Sequence, residues 1–298
     1  MKKIFAVLLL ICGIVTAQDA GNNGLSFLKF SFGAKNAALA DLGVVLANDV
    51  TALNYNPALL AGVDRLQLHL THNQSIQDVK SEMFGFGFSF NNINFAVGVN
   101  TSTVSDIEIR NTPGEAIAKF DANYFYGSLS SGFYLTDNLS AGLTFKYLYE
   151  GMLTDEATGY GLDFGFAYKS IIPNLNMAVA LRNIGKMNKL RNQSTELPKD
   201  LRFGSSYLLT VDQIKSNVVL AAGFNKYLEE EDLHYSVAAD IKYDNLFSLR
   251  VGYITGYDSK GITTGFGIDW NNFNIDYAFT PYNYDLGDVH TISLMYNF

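Results

Sequence analysis

Cysteine is almost missing from this chain: the single Cys12 sits inside the apolar run Ile4 to Val15, and no thiol follows it. Disulfides, thiolate metal sites and cysteine nucleophiles are therefore excluded from everything downstream. Long hydrophobic runs are equally scarce. Beyond Val15 no stretch approaches the roughly 20 apolar residues a membrane helix needs, so any span of a bilayer must be made of strands. Basic residues are also in deficit. Setting Lys2 and Lys3 aside as part of a leader leaves 19 basic against 29 acidic residues, an excess that argues against nucleic acid as a partner.

The leader is read from Lys2 and Lys3 ahead of the apolar run, with Val15-Thr16-Ala17 supplying a small residue at the cut. That layout predicts a secretory signal peptide over residues 1–17, cleaved between Ala17 and Gln18. A lipid anchor on Cys12 is disfavoured, because Ile11 is bulky where a lipidation site wants a small residue and apolar sequence continues past the cysteine.

What is abundant is tyrosine, phenylalanine and glycine, set out with period two. Phe84, Phe86, Phe88 and Phe90 alternate with Gly85, Gly87 and Ser89. Leu162, Phe164, Phe166 and Tyr168 alternate with Gly161, Asp163, Gly165 and Lys169. About fourteen such runs start near residues 66, 82, 93, 120, 139, 158, 175, 200, 216, 232, 246, 260, 272 and 289, with lengths suited to tilted membrane strands. Tight turns such as Asn91-Asn92, Pro173-Asn174, Asp244-Asn245 and Asn271-Asn272 alternate with longer links at 74–81, 104–118, 151–157, 185–199, 227–231, 257–260 and 281–288. Short turns on one rim and longer loops on the other are the layout of an outer-membrane barrel.

A soluble β-sandwich is the competing architecture. Its second face would meet water and carry many charges, whereas here that face is glycine, serine, asparagine and a few isolated charges. Glycine weakens a strand unless something packs closely above it, and a crowded lumen supplies that something. The final residues, His290 to Phe298, place Ile292, Leu294, Tyr296 and Phe298 on one face. Tyr296 and Phe298 are the expected barrel-assembly signal. The predicted class is an all-β, transmembrane, antiparallel up-and-down barrel of about 14 strands over residues 65–298, in the bacterial outer membrane.

Residues 18–64 read differently, as a short, partly helical, plug-like segment. Gly33 to Ala40 is rich in helix formers, and Asn56-Pro57-Ala58-Leu59-Leu60-Ala61-Gly62 offers a cap residue, a proline at the first helical position and a closing glycine. The ordered set Gly33-Ala34-Lys35, Ala37-Ala38-Leu39, Asn48-Asp49 and Asn56-Pro57-Ala58 resembles the N-terminal signature of the PorV/PorQ family, itself related to the FadL-type outer-membrane transporters. It departs from that signature at Lys35, where arginine is usual, and at Ala40 and Leu59, where glycine is usual. The resemblance implies that the segment lies in or under the barrel mouth. It also implies an accessory or cargo-shuttle role in type IX protein secretion, with translocon components and the C-terminal domains of secreted cargo as partners beside outer-membrane lipid and lipopolysaccharide.

No catalytic constellation is legible, and no catalytic, metal-binding or cofactor-binding residue is expected. His69 and His72, three apart on a strand, point to opposite faces. The acidic run Glu229-Glu230-Glu231-Asp232 reads as a solvated loop tip, with cation binding as the lesser possibility. By alternation the lumen should receive Lys146, Glu150, Asp163, His234, Asp240, Lys242, Arg250, Asp269 and Asp276, whose opposite charges would pair across a narrow interior. A FadL-like channel for a small hydrophobic or polar solute is the alternative function.

Overall fold

The computed structural model describes residues 25–76, 79–91, 93–190 and 193–298. The expected leader and its cut at Ala17 and Gln18 lie outside these residues, as does Asn92 of one expected turn.

Fourteen antiparallel strands close on themselves. They are β1 (Gln67–Gln74), β2 (Lys80–Phe90), β3 (Ile93–Ile109), β4 (Ala118–Tyr134), β5 (Leu139–Met152), β6 (Asp155–Ile172), β7 (Leu175–Met187), β10 (Asp200–Val211), β11 (Ser216–Tyr227), β12 (Leu233–Tyr243), β13 (Phe247–Ile254), β14 (Ile262–Trp270), β15 (Phe273–Pro281) and β16 (Asp288–Asn297). A small separate hairpin of β8 (Lys189–Leu190) and β9 (Gln193–Ser194) decorates the link between β7 and β10. Each strand pairs with its sequence neighbours in the wall, and β1 pairs with β16 to close it, with Gln67 opposite Asn297 and Gln74 opposite His290.

The side-chain distribution is the reverse of a soluble protein's. Along β5 the buried residues are Ser140, Gly142, Thr144, Lys146, Leu148 and Glu150, while Leu143, Phe145 and Tyr147 are exposed. On β13 Leu249 is 65% exposed and Arg250 only 5%. An outward apolar band over an inward polar face suits hydrocarbon outside and a filled lumen inside. Exposed aromatics gather at the short-turn rim, where Phe90, Tyr134, Tyr243, Phe247, Trp270, Phe273 and Phe298 flank the turns; aromatic rings at this level match a bilayer interface.

Two expected links are shorter than the sequence suggested. Residues 151–157 carry only a two-residue turn at Leu153-Thr154, with Leu153 in the left-handed region. The segment 104–118 is mostly strand, since β3 runs to Ile109 and β4 begins at Ala118. Charged and polar residues on these extensions hid them. They rise beyond the apolar band, where both faces meet water and alternation fades. A bulge between Val104 and Ile107, with Asp106 left-handed, breaks the pattern further.

The N-terminal segment fills the barrel. A 3₁₀ turn at Ser26–Lys29 leads to α1 (Ala34–Ala38), α2 (Gly43–Leu46), α3 (Ala52–Tyr55) and a second 3₁₀ stretch, Pro57–Gly62. Its side chains form the hydrophobic core, with Phe32, Val50, Leu53 and Tyr55 fully shielded. Lumen-facing glycines mark where it touches the wall: a Cβ on Gly142 would collide with the Pro57 carbonyl, one on Gly165 with the Asn56 side chain, and one on Gly265 with Ala38. The glycine-rich inner face is thus the imprint of the plug.

Candidate functional site

The plug is held unevenly. On the β4–β7 and β10 side its anchorage is dense. Asn56 caps the Pro57–Gly62 turn by accepting a bond from Ala58 N at 3.1 Å, and its amide donates to the carbonyls of Val44 (3.0 Å) and Phe166 (3.3 Å). Pro57 and Ala58 pack over the glycines of β4 and β5. Opposite Asp163, the β6–β7 register slips by one residue, and Asn183 adopts a left-handed conformation. That bulge turns two consecutive side chains inward, so Arg182 and Asn183 are both 1% exposed.

Arg182 gains a site at the centre of the molecule. Its guanidinium reaches Asp200 Oδ1 at 3.1 Å and donates to the plug carbonyls of Asn54 (2.5 Å) and Leu28 (3.3 Å). Arg202 binds the other oxygen of Asp200 at 3.2 Å and the plug's Asp41 at 2.7 Å. Lys146 bridges Asp163 (2.7 Å) and Asn183 Oδ1 (2.8 Å). Alternation identified Lys146 and Asp163 as lumen residues but missed Arg182, Asp200 and Arg202. Asp200 and Arg202 stand at the start of β10 beside a link, and Arg182 stands at the bulge, where period two fails.

On the β13–β16 side the plug is held by the close packing of Ala34, Ala37 and Ala38 against Ala278 and by few polar bonds, with no buried ion pair between that wall and α1 among the described residues. Gly33-Ala34-Lys35 opens α1, whose backbone meets the wall through three bonds: Ala34 N to Ser293 Oγ (2.8 Å), Thr263 Oγ1 to the Ala38 carbonyl (2.9 Å) and Ala40 N to Thr263 Oγ1 (3.2 Å). Lys35 points toward the short-turn rim, with Asn48 Oδ1 at 2.5 Å and Asp49 Oδ2 at 3.6 Å. Burial pushes the Asp49 carboxyl up, but the Lys35 ammonium and hydrogen bonds from Thr51 outweigh it and hold the group below its ordinary value.

Open space lies on both sides of α1. Toward the short-turn rim is a chamber of about 400 Å³, walled by β11–β16 and β1 and bordered by Lys35, Asn48 and Asp49. It contains Asp240, Lys242, Arg250, Asp269 and Asp276, paired as Arg250–Asp276 (2.5 Å), Arg250–Asp240 (3.4 Å) and Lys242–Asp269 (2.5 Å). Beside it, a recess of about 210 Å³ with a mostly apolar surface is lined by Leu39, Val45, Leu46, Leu208 and Val219 and edged by Lys35, Asn48, Asn176, Ser206 and Asp240. Toward the long-loop rim a smaller cavity of about 70 Å³ is bordered by Ala37, Ala40 and Asp41 and by the far ends of β13–β16 and β1. Residues of α1 and the turn after it border both, Lys35 the chamber and Ala37 and Ala40 the smaller cavity.

The remaining candidates are placed apart from this path. Glu150 accepts from Thr195 at 3.2 Å. His234 stacks on Tyr257 with ring centroids 3.8 Å apart. His69 faces inward and bonds Thr71, while His72 faces out and meets Glu82 at 2.7 Å. The acidic run is not a free loop tip, since Glu230 pairs with the plug's Lys29 at 2.5 Å and Glu229 with Lys199 at 3.0 Å. Tyr296 packs on Phe273 and Phe298, each at 4.8 Å, and Phe298 N bonds the Leu66 carbonyl across the β1–β16 seam.

The barrel superposes on solved structures over most of its length. The toluene transporter TodX of Pseudomonas putida superposes with a TM-score of 0.65 at 12% identity, over 90% of this chain and 98% of that one. The fold is that of the FadL-type channels. The CymD monoaromatic hydrocarbon channel gives 0.64 at 12% identity over 93% and 99% of the two chains, and a FadL homologue from Pseudomonas aeruginosa gives 0.57 at 14% over 90% and 99%. No protein-family model matches the sequence, and no curated protein does. The relation to FadL-type barrels is thus carried by architecture, while the PorV/PorQ assignment stays with the resemblance at residues 33–62.

Proposed function

We propose that this protein is an outer-membrane channel for small solutes, closed at rest by its N-terminal plug and opened by displacement of α1. The observation that carries this reading is the pair of cavities on opposite sides of α1, along one wall, with three hydrogen bonds and the packing of small alanines, and no ion pair among the described residues, holding α1 to that wall. The rest of the plug is tied to the barrel through Arg182, Arg202 and Asn56, so a local shift at α1 joins the cavities without expelling the whole segment. The likeness to barrels described as hydrocarbon channels supports the same reading. The short-turn rim, which carries Arg65 and Phe298, is assigned to the periplasm.

The secretion role implied by the family resemblance gains no separate support. Asn56, Pro57 and Ala58 are buried against β4–β7, and Gly33 and Ala34 against His69 and Ser293. Packing accounts for these motif residues, and the buried ones are not available to a cargo.

Proteoliposome flux tests the proposal. Thr263→Val with Ser293→Ala removes all three bonds to α1 and leaves the wall nearly isosteric. Solute entry should rise several-fold over the parent protein. Flux equal to that of empty vesicles for both proteins, each showing heat-dependent gel mobility, would overturn the channel reading.

A further inference from the structure

The charges on the strands that line the 400 Å³ chamber are already spoken for, while Asp64 and Arg65, which also border it, are exposed on the short-turn rim. Arg250 lies between Asp240 and Asp276, Lys242 meets Asp269, and Lys35 meets Asp49. A charged ligand seated among these strand residues would have to break one of the pairs and leave its partner poorly solvated. What is left over is hydrogen-bonding capacity of both kinds. Asp240 Oδ1 is an acceptor without a partner, Arg250 Nε lacks a well-aligned one, and Ser248 Oγ, able to donate and accept, is also unpartnered. Ser248 and Arg250 are each 5% exposed and line the chamber. They are neighbours in register, with Asp240 opposite Arg250 and Lys242 opposite Ser248 on adjacent strands.

From this geometry we infer that the short-turn chamber is a binding site for a neutral, hydroxyl-rich solute of the size of a small sugar, held by Asp240, Ser248 and Arg250. Hydroxyl groups supply donors and acceptors together and carry no charge to disturb the pairs. A volume of about 400 Å³ lies within the ordinary range of small-molecule sites, about 300–1,000 Å³. A hydrocarbon offers nothing to these atoms and would strip water from them uncompensated; its place is the neighbouring apolar recess. This inference rests on the channel reading for its biological sense, but the site stands on its own lining.

The test is saturation-transfer NMR and calorimetry on the full chain, in a detergent without a sugar headgroup, with glucose, sucrose, gluconate and toluene as probes. Glucose or sucrose should bind saturably and more tightly than gluconate. Ser248→Ala should weaken that binding about 3- to 10-fold, and Ser248→Phe, which projects a ring into the chamber, should abolish it while heat-dependent gel mobility persists. Absence of saturable sugar binding, tighter binding of gluconate, or sugar binding indifferent to Ser248→Phe would overturn the inference; if that variant does not assemble, indifference to Ser248→Ala does so. The two readings fail separately. Sugar binding without flux in vesicles removes the channel and leaves the site, whereas toluene flux without sugar binding removes the site and leaves the channel.

Discussion

Lys146 and Asp163 illustrate how charges behave when a lumen is packed and not flooded. Both are almost wholly shielded, 1% and 0% exposed, and each has one further polar contact, to Asn183. Removing one partner of such a pair costs about 3–5 kcal/mol, because the other charge is left without compensation. Lys146→Met should therefore lower the temperature at which the folded gel band disappears. The double change Lys146→Met with Asp163→Leu should recover much of the loss. A double variant no more stable than the single one would mean that the pair does more than cancel itself. Asp49 permits a test by pH. Its carboxyl is held below its ordinary value near 3.8 by Lys35 and Thr51, so the unfolded chain takes up a proton first as pH falls. The stabilisation is complete above the ordinary carboxylate range and is lost as pH falls through the depressed value. Acid should loosen the plug, and bilayer conductance should rise below about pH 4. Asp49→Asn should flatten that dependence.

At the scale of elements, the strands were legible and the plug only half so. Every barrel strand begins within three residues of where alternation placed it, because a wall with lipid on one side and a packed lumen on the other enforces period two along its whole apolar band. The same signal disappears at the bulge that carries Arg182 and Asn183 and on the tall extensions of β3 to β6. In the plug, the turn capped by Asn56 followed from local chemistry. The single-turn helices α2 and α3 did not, since Val44, Val45, Leu53 and Tyr55 owe their conformation to burial by the surrounding wall and not to propensity. The lumen charges were found by parity, but parity does not say which of them hold the plug and which face open space. The seam between β1 and β16 makes a prediction of its own. Tyr296 and Phe298 bury aromatic surface against Phe273 and one another at the closing edge. Changing both to Ala should lower the amount of assembled barrel in membranes without reducing export. Equal assembly would show that the hydrogen-bond ladder alone closes the wall.

For the whole molecule, the asymmetry of the plug decides what a deletion should do. A barrel whose N-terminal segment were anchored equally on all sides would be a rigid, filled cylinder, suited to displaying surface to a partner. Here the β4–β7 and β10 side is locked by Arg182, Asp200 and Arg202, while the β13–β16 side is held by alanine packing and three hydrogen bonds beside two cavities. The proposed channel function places conduction on the β13–β16 side of a plug that stays in place. A strain lacking the protein should lose uptake of a small solute at low external concentration and keep normal secretion of proteins bearing type IX sorting domains. Restoring the gene should restore uptake, and restoring it with Ser248→Phe should not, because the ring obstructs the chamber on the exit side of α1. Lost type IX secretion with uptake intact would return the function to the secretion role and leave the barrel, its plug and its chambers as described.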